Sequence, residues 1–194
     1  MSKLAAVVLA AGEGRRMGDR IKPLMHLYGT PMLLVLLEHL QACDAVGHIV
    51  VTLGRHASEC AAELPDSVET VINHEWERGK TSSFQTGLAT VKDWSDAVFL
   101  CPVDCPRVPC RVYHKLAGVL DGERIVIPTF RKQRGHPPLI PKKFFERYME
   151  LPADVPLNAV HRDPATPVRL VGVGSPYILD DFNVPEDVPQ DTHV

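Results

Sequence analysis

The most informative segment of the sequence is Leu9-Ala-Ala-Gly-Glu-Gly-Arg-Arg-Met-Gly18, followed closely by Lys22-Pro-Leu24. It comes directly after the apolar run Leu4–Ala10, which has the length and composition of a buried strand. In open α/β sheets, ligands bind beyond the carboxyl ends of the strands. Glycines at that place let backbone N–H groups approach a phosphate chain, and the basic residues of the stretch add positive charge. The stretch therefore predicts a phosphate-binding loop at the edge of a parallel sheet.

Downstream of this loop, apolar strands alternate with helical segments up to about residue 120. Further strands are predicted at His48–Thr52, Val68–Asn73 and Ala97–Cys101. Helices are predicted at Pro31–Ala42, Ala57–Glu63, Thr81–Val91 (capped by Thr81 or Ser82) and Arg111–Leu120. This alternation is typical of a mainly parallel sheet that is covered by helices on both faces.

The pattern changes in the last third of the chain. Ile125–Thr129 and Pro138–Ile140 flank a polar loop at 130–136, which predicts a hairpin and some antiparallel pairing. A helix at Lys142–Glu150 and strands at Val168–Val171 and Tyr177–Leu179 follow. We therefore expect one α/β domain over residues 1–194, a Rossmann-like three-layer α/β/α sandwich whose mainly parallel sheet has a small antiparallel part.

Composition excludes several classes of protein. The 194 residues are 45% hydrophobic and 23% charged, and the formal net charge of -3 disfavours a nucleic-acid-binding protein. No apolar run is long enough to cross a membrane, so we expect a cytoplasmic protein without a membrane partner. The five cysteines are an odd number without a secretion signal, which indicates reduced thiols. The spacing of Cys101, Cys105 and Cys110 fits neither a paired zinc motif nor an iron–sulfur motif, so we interpret them as incidental.

Two other phosphate-binding motifs fit the chain less well. A dinucleotide fingerprint would need its third glycine one residue before Gly18, and Lys22-Pro23 interrupts the helix that should follow. No acidic residue ends the second strand, although Arg55 there leaves NADP binding open as a remote alternative. Gly79-Lys80-Thr81 opens a helix, but His74 stands where a P-loop needs glycine, which excludes that motif.

The first loop together with Lys22-Pro-Leu24 resembles the signature of the MobA-like NTP transferases. This family includes the molybdenum cofactor cytidylyl- and guanylyltransferases, and its fold is similar to that of sugar-nucleotide pyrophosphorylases. The resemblance implies that the first loop binds the nucleotide, through Leu9, Ala10, Ala11, Gly12, Gly14, Arg15, Arg16 and Lys22. It also implies contacts to the base and ribose from Asn73, Gly79, Ser82 and Ser83.

Three later segments resemble other elements of the same family. Cys101-Pro-Val-Asp104-Cys-Pro106 is similar to an element whose aspartate binds Mg²⁺, with Mn²⁺ as a possible substitute. Arg134-Gly135-His136-Pro137 is similar to an element beside the acceptor, which implies acceptor contacts from Gly135 and His136. Asn183-Val-Pro-Glu-Asp187 resembles a late element whose first residue is often a metal-binding Asp. Because it is Asn183 here, the second metal ligand is either Asn183 or Asp181.

The resemblance implies a metal-dependent transfer of a nucleoside monophosphate from an NTP to a small phosphorylated acceptor. Lys22, Arg16 and Asp104 would carry the chemistry, by neutralising the α-phosphate, holding the leaving pyrophosphate and binding the metal. Leu-Ala-Ala-Gly rather than Leu-Ala-Gly-Gly, together with Gly-His-Pro, favours CTP and a molybdopterin acceptor. A sugar phosphate is an alternative acceptor, and a non-catalytic nucleotide-binding or cofactor-delivery module is an alternative of another class. Delivery of a finished cofactor would suit docking to a molybdoenzyme or its chaperone.

Overall fold

The computed structural model describes residues 2–14, 18 and 20–187. Its strands are β1 (Leu4–Ala10), β2 (His26–Leu27), β3 (Thr30–Pro31), β4 (His48–Leu53), β5 (Glu69–Ile72), β6 (Ala97–Pro102), β7 (Ile125–Phe130), β8 (Gln133–Arg134), β9 (Leu139–Pro141) and β10 (Val168–Gly172). Its α-helices are α1 (Met32–Gln41), α2 (Ala57–Glu63), α3 (Lys80–Val91), α4 (Cys110–Ala117), α5 (Phe145–Met149) and α6 (Asn158–Arg162). The predicted site residues Arg15 and Arg16 lie outside the described residues.

The central sheet has the strand order β10-β7-β9-β6-β1-β4-β5, with β8 added to β7. Strand β1 pairs in parallel with β4 and β6, and β4 pairs in parallel with β5. Strand β9 lies between β6 and β7 and runs antiparallel to both. The predicted α/β fold with a mainly parallel sheet and a small antiparallel part is confirmed.

Alternate residues of β1 point to opposite faces of the sheet. Leu4, Ala6 and Val8 pack in one hydrophobic cluster with buried side chains of α1, α2 and α4. Ala5 and Val7 pack in a second cluster with side chains of α3, α5 and α6. Because both faces of the strand are covered, its sequence is continuously apolar instead of alternating. Helices therefore cover both faces of the sheet, as the sequence predicts.

Several predicted elements differ from the structure. Tyr177–Leu179 is part of a 3₁₀ turn at Pro176–Leu179 and not a strand, and Pro176 stands at the first position of this turn, where its fixed φ favours a helical start. The predicted helix 142–150 is split into a 3₁₀ turn, Lys142–Phe144, and the short α5. The polar loop of the predicted hairpin contains β8, which pairs with β7.

The start of α3 also differs from the prediction. The N-cap residue is Gly79, at a φ of 101° that favours glycine, and not Thr81 or Ser82. The hydroxyl groups of Ser82 and Ser83 donate instead to the carbonyl oxygen of Gly79, at 2.9 and 3.3 Å. Helix α6 was not predicted, since its five residues are too few to show a helical period. Among the helices of the described chain, none is long and apolar enough to span a bilayer.

Candidate active site

A cavity of about 370 Å³ opens at the carboxyl ends of β1 and β6. This is the edge at which open α/β sheets bind ligands, and the volume is within the usual range for small-molecule sites. The predicted nucleotide and metal residues that line it are Leu9, Ala10, Ala11, Gly12, Gly14, Lys22, Gly79, Ser83, Asp104 and Asn183. The predicted nucleotide and metal residues come from segments far apart in the chain, and most of those that the structure describes line this one cavity.

Asp104 is the most buried charged group in this cavity, with a side chain that is only 8% exposed. It follows β6, and its Oδ2 accepts hydrogen bonds from Lys22 Nζ at 3.0 Å and Lys80 Nζ at 3.1 Å. Burial alone would raise the pKa of Asp104, but the charges and hydrogen bonds of the two lysines lower it overall. The carboxylate is therefore ionised at neutral pH, which is the state in which it can bind a cation.

Lys22 connects the two predicted metal-binding segments. Its Nζ donates to Asp104 Oδ2 and also to Asn183 Oδ1, at 3.0 and 3.3 Å. One cationic group therefore contacts oxygen atoms from residues 104 and 183, which are separated by 79 positions in the sequence. Two oxygen atoms that face the same positive charge form a polar cluster suited to a hard metal cation.

The segment that carries Asn183 is anchored to the loop after β6. Arg107 makes a bidentate ion pair with Asp180, through contacts of 2.7 and 2.8 Å, and its guanidinium lies over the Phe182 ring. The backbone N–H of Phe182 donates to the carbonyl oxygen of Asp104 at 3.3 Å. Asn183 is thus held beside Asp104, whereas Asp181 is exposed and does not line the cavity. The geometry favours Asn183 over Asp181 as the second candidate metal ligand.

Asn73 and Ser82 lie behind the cavity wall. The buried Asn73 side chain donates to the hydroxyl oxygens of Ser82 and Ser83, at 3.0 and 3.1 Å. Its Oδ1 accepts from the N–H of Glu75 at 2.9 Å. Only Ser83 of these three predicted nucleotide contacts lines the cavity, so Asn73 and Ser82 hold the start of α3 in position.

Lys80 is the main site residue that was not predicted from the sequence. It lies at the first position of α3, with a side chain that is 70% exposed, and its Nζ forms an ion pair with Asp104 at 3.1 Å. The segment around Lys80 resembles the family's base- and ribose-binding segment, but that resemblance implies contacts from Gly79, Ser82 and Ser83 and none from Lys80. Trp76 and Glu77, in the turn before α3, also line the cavity and were not predicted.

A second cavity of about 350 Å³ lies beside the first. The two cavities share Leu9, Lys80 and Pro102 in their linings, so ligands bound in them would meet near these residues. Gly135 and His136, the predicted acceptor contacts, line the second cavity. The structure therefore provides two adjacent binding spaces.

Gly135 fits its position because no side chain has room there. A Cβ atom would lie 2.2 Å from the carbonyl oxygen of Ile178, which itself accepts a 2.8 Å hydrogen bond from the N–H of His136. The His136 Nδ1 atom is buried and has no hydrogen-bond partner among the described residues. Burial lowers the pKa of His136, although the nearby Asp104 carboxylate opposes this shift. His136 is therefore a neutral imidazole in the wall of the second cavity.

The second cavity is basic. Lys80, Arg134 and Arg162 line it, together with His161. Burial, followed by the charges of its basic neighbours, lowers the pKa of His161 to about 4. Positive charge from guanidinium and ammonium groups, beside neutral imidazoles, suits an anionic ligand that also carries hydrogen-bonding groups.

The family model for the MobA-like NTP transferase domain matches residues 6–168. The chain belongs to the MobA-like NTP transferase family. A probable molybdenum cofactor guanylyltransferase from Trichormus variabilis is 27% identical over 198 residues, which cover 97% of this chain and 90% of that protein. A bifunctional protein GlmU from Rhizorhabdus wittichii is 34% identical over 121 residues, or 61% of this chain. The matched region covers only 26% of the length of that GlmU protein.

Solved structures of similar fold include Rv0371c from Mycobacterium tuberculosis. It superposes with a TM-score of 0.86 at 25% identity, over 96% of this chain and 95% of that one. The same protein in complex with manganese superposes with a TM-score of 0.78 at 24% identity, covering 97% and 94% of the two chains. These likenesses agree with the α/β fold of this chain.

For a MobA-like transferase, the arrangement has a direct chemical use. The first cavity combines backbone amides after β1, the partly buried Lys22 and an ionised carboxylate, which suit a polyphosphate with its counter-cation. The second cavity presents cations and neutral imidazoles to an anionic ligand. Two negatively charged reactants need positive charge where they meet, and Lys80 lines both spaces.

Proposed function

We propose that this protein transfers CMP from CTP to the phosphate of molybdopterin or its molybdenum form and releases pyrophosphate. The observation that carries this proposal is the contact of Lys22 Nζ with both Asp104 Oδ2 and Asn183 Oδ1 at the edge of the nucleotide cavity. The acceptor phosphate is anionic near neutral pH, so it can attack the α-phosphate without a general base. Alignment and charge stabilisation would then supply the catalysis.

The donor set fits Mg²⁺ or Mn²⁺. A carboxylate and an amide oxygen are hard ligands, and both face the same cationic group. Asp104 and Asn183 would hold the ion, which supplies charge neutralisation at the phosphates when it is bound. The manganese complex of Rv0371c supports a divalent cation in this fold. Lys22, only 14% exposed, would neutralise charge on the α-phosphate oxygens.

The second cavity is assigned to the acceptor. Arg134 and Arg162 would bind the anionic groups of the acceptor, and the neutral imidazole of His136 would contact it from the cavity wall. We expect Arg162→Ala to raise the KM for the acceptor severalfold and to leave the KM for the nucleotide unchanged. Arg124→Ala is a matched control, because Arg124 pairs with Asp121 and lines neither cavity. Equal effects of the two variants would contradict this assignment.

The nucleobase preference rests on the small residues after β1. Ala11 stands where the Leu-Ala-Gly-Gly motif has glycine, and its methyl group leaves less room in the cavity than that glycine would, which favours the smaller ring of cytosine. GTP is the second candidate, because the Trichormus variabilis relative is named as a guanylyltransferase. Initial rates with CTP and GTP at equal concentration test this choice, and a faster reaction with GTP would overturn it.

A non-catalytic nucleotide-binding module is the alternative of another class. It is favoured by Asn183, which places an amide where a carboxylate would bind a metal more strongly. Both accounts predict binding of nucleotide with a divalent cation. Only the transferase account predicts pyrophosphate release that depends on the acceptor, so this release separates them.

A further inference from the structure

Three potential metal ligands meet outside both cavities. Cys43, Cys110 and His114 each offer a ligand atom, and these atoms all lie within 4.8 Å of one another. Cys43 follows α1, Cys110 is the first residue of α4, and His114 lies one helical turn further along α4. The spacing of four residues places Cys110 and His114 on the same face of α4. This face meets Cys43, just beyond the carboxyl-terminal end of α1.

We propose that Cys43, Cys110 and His114 bind one zinc ion at a site separate from the active site. Two sulfur ligands and one imidazole form a donor set that zinc accepts readily, with a fourth position left for water or another ligand. Mg²⁺ prefers oxygen ligands and does not compete well for such a set. None of the three residues lines the nucleotide or the acceptor cavity.

The surroundings of His114 support this proposal. Asp44 Oδ1 lies 2.8 Å from His114 Nε2. Metal-binding histidines commonly donate their second ring N–H to a carboxylate, which fixes the orientation of the ring. Cys43 is buried, whereas the side chains of His114 and Asp44 are 49% and 89% exposed. One side of the site is therefore protected and the other is open for the entry of the ion.

A zinc ion here would join two parts of the fold that are distant in sequence. Cys43 and Cys110 are 67 residues apart, and the Cys43 thiol already donates weakly to the Cys110 carbonyl oxygen at 3.7 Å. Helix α4 begins six residues after Asp104. Zinc would thus link the start of α4, where the loop that carries Asp104 ends, to the segment after α1. Binding of the ion to the folded state alone would also stabilise that state by mass action.

The direct test is the zinc content of the purified, reduced chain after loading with Zn²⁺ and dialysis. We expect one tightly held equivalent, and with Co²⁺ in its place the thiolate charge-transfer absorption of a cobalt–sulfur site. Cys110→Ser and His114→Ala should each lose this equivalent and this absorption. Because His114 is half-exposed, His114→Ala tests the site without disturbing the core, and circular dichroism verifies the fold.

Two control variants separate this site from other sources of binding. Cys60→Ser alters a buried cysteine outside the group and should retain the zinc. Asp104→Asn removes the candidate active-site ligand and should retain it as well. Failure of the wild-type chain to hold an equivalent, or retention of zinc by folded His114→Ala, would overturn the proposal. So would a Cys43–Cys110 disulfide that persists in the reduced preparation, because both sulfur ligands would then be consumed.

Discussion

Lys80 Nζ lies 3.1 Å from the Asp104 carboxylate that Lys22 Nζ also contacts, at 3.0 Å. The two lysines differ in burial, since the Lys22 side chain is 14% exposed and that of Lys80 is 70% exposed. An exposed ion pair contributes little to stability, so Lys80 is free to exchange Asp104 for a substrate phosphate. The largely enclosed Lys22 is held by Asp104 and Asn183, and in the proposed reaction it would lie beside the α-phosphate. This difference predicts different roles for the two residues.

Lys22→Ala should reduce kcat by about 10²–10³-fold, because it removes a fixed positive charge from the site of charge development. Lys80→Ala should act mainly on KM, since Lys80 lines both cavities and is exposed. Steady-state pyrophosphate release measures both effects, and Lys115→Ala on the surface of α4 is the control. If Lys22→Ala kept full activity with an intact fold, the assigned role of Lys22 would be wrong.

Asn183→Asp should strengthen metal binding, because a carboxylate binds Mg²⁺ or Mn²⁺ better than an amide does. We expect the Kd for Mn²⁺ to fall about tenfold, on the order of 1.4 kcal/mol. Titration with Mn²⁺, followed by electron paramagnetic resonance of the free ion, measures this change. Asp181→Asn is the matched control and should leave the Kd unchanged, because Asp181 does not line the cavity. A loss of affinity in Asp181→Asn would move the second ligand to that residue.

Gly135→Ala should destabilise the protein by about 1–3 kcal/mol, the range for a side chain forced into occupied space. Its Cβ would lie 2.2 Å from the Ile178 carbonyl oxygen, and the backbone that carries His136 would have to move. Gly172→Ala, where a Cβ meets no atom within 4 Å, should change stability by less than about 0.5 kcal/mol. Urea unfolding of both variants gives the comparison. If Gly135→Ala and Gly172→Ala had equal free energies of unfolding, the backbone around Gly135 would accommodate a Cβ atom without loss of stability, contrary to this prediction.

His161 should make the folded state less stable as the pH falls. Its pKa is lowered by burial from 6.5 to about 4, so between these pH values the unfolded chain binds more protons than the folded one. This contribution to stability is complete above pH 6.5, is lost as the pH falls toward 4, and changes no further below that value. The melting temperature of the wild type should therefore drop more steeply over this interval than that of His161→Gln. Parallel pH profiles for the two proteins would mean that the histidine titrates normally.

Strong periodic or apolar signals allowed the fold to be predicted. The bounds of β1 and α2 are those expected from the sequence, and the α/β class follows from strands that are apolar throughout. The strand prediction at Tyr177–Leu179 is wrong because three apolar residues in a row carry no information about hydrogen bonding. The position of β9 between β6 and β7 depends on tertiary packing and leaves no local pattern.

The candidate site was predictable where a motif marks it. The first loop, Asp104 and Asn183 were all expected, and the structure brings their described residues together. Lys80 was missed because its role depends on a contact across the cavity with Asp104, 24 residues later. The proposed zinc site was missed for the same reason. It combines Cys110 and His114 with Cys43, which is distant in the sequence, so the spacing of the cysteines within residues 101–110 does not reveal it.

In the proposed reaction, nucleotide and acceptor meet at the Lys22–Asp104–Asn183 cluster. The decisive measurement is pyrophosphate release with Mg²⁺ and with CTP, GTP, ATP or UTP in turn, in the presence and absence of molybdopterin. We expect release with CTP that requires both the acceptor and the metal and that is abolished in Asp104→Ala. Nucleotide binding without release from any of the four NTPs would contradict the transferase and leave a binding module in its place.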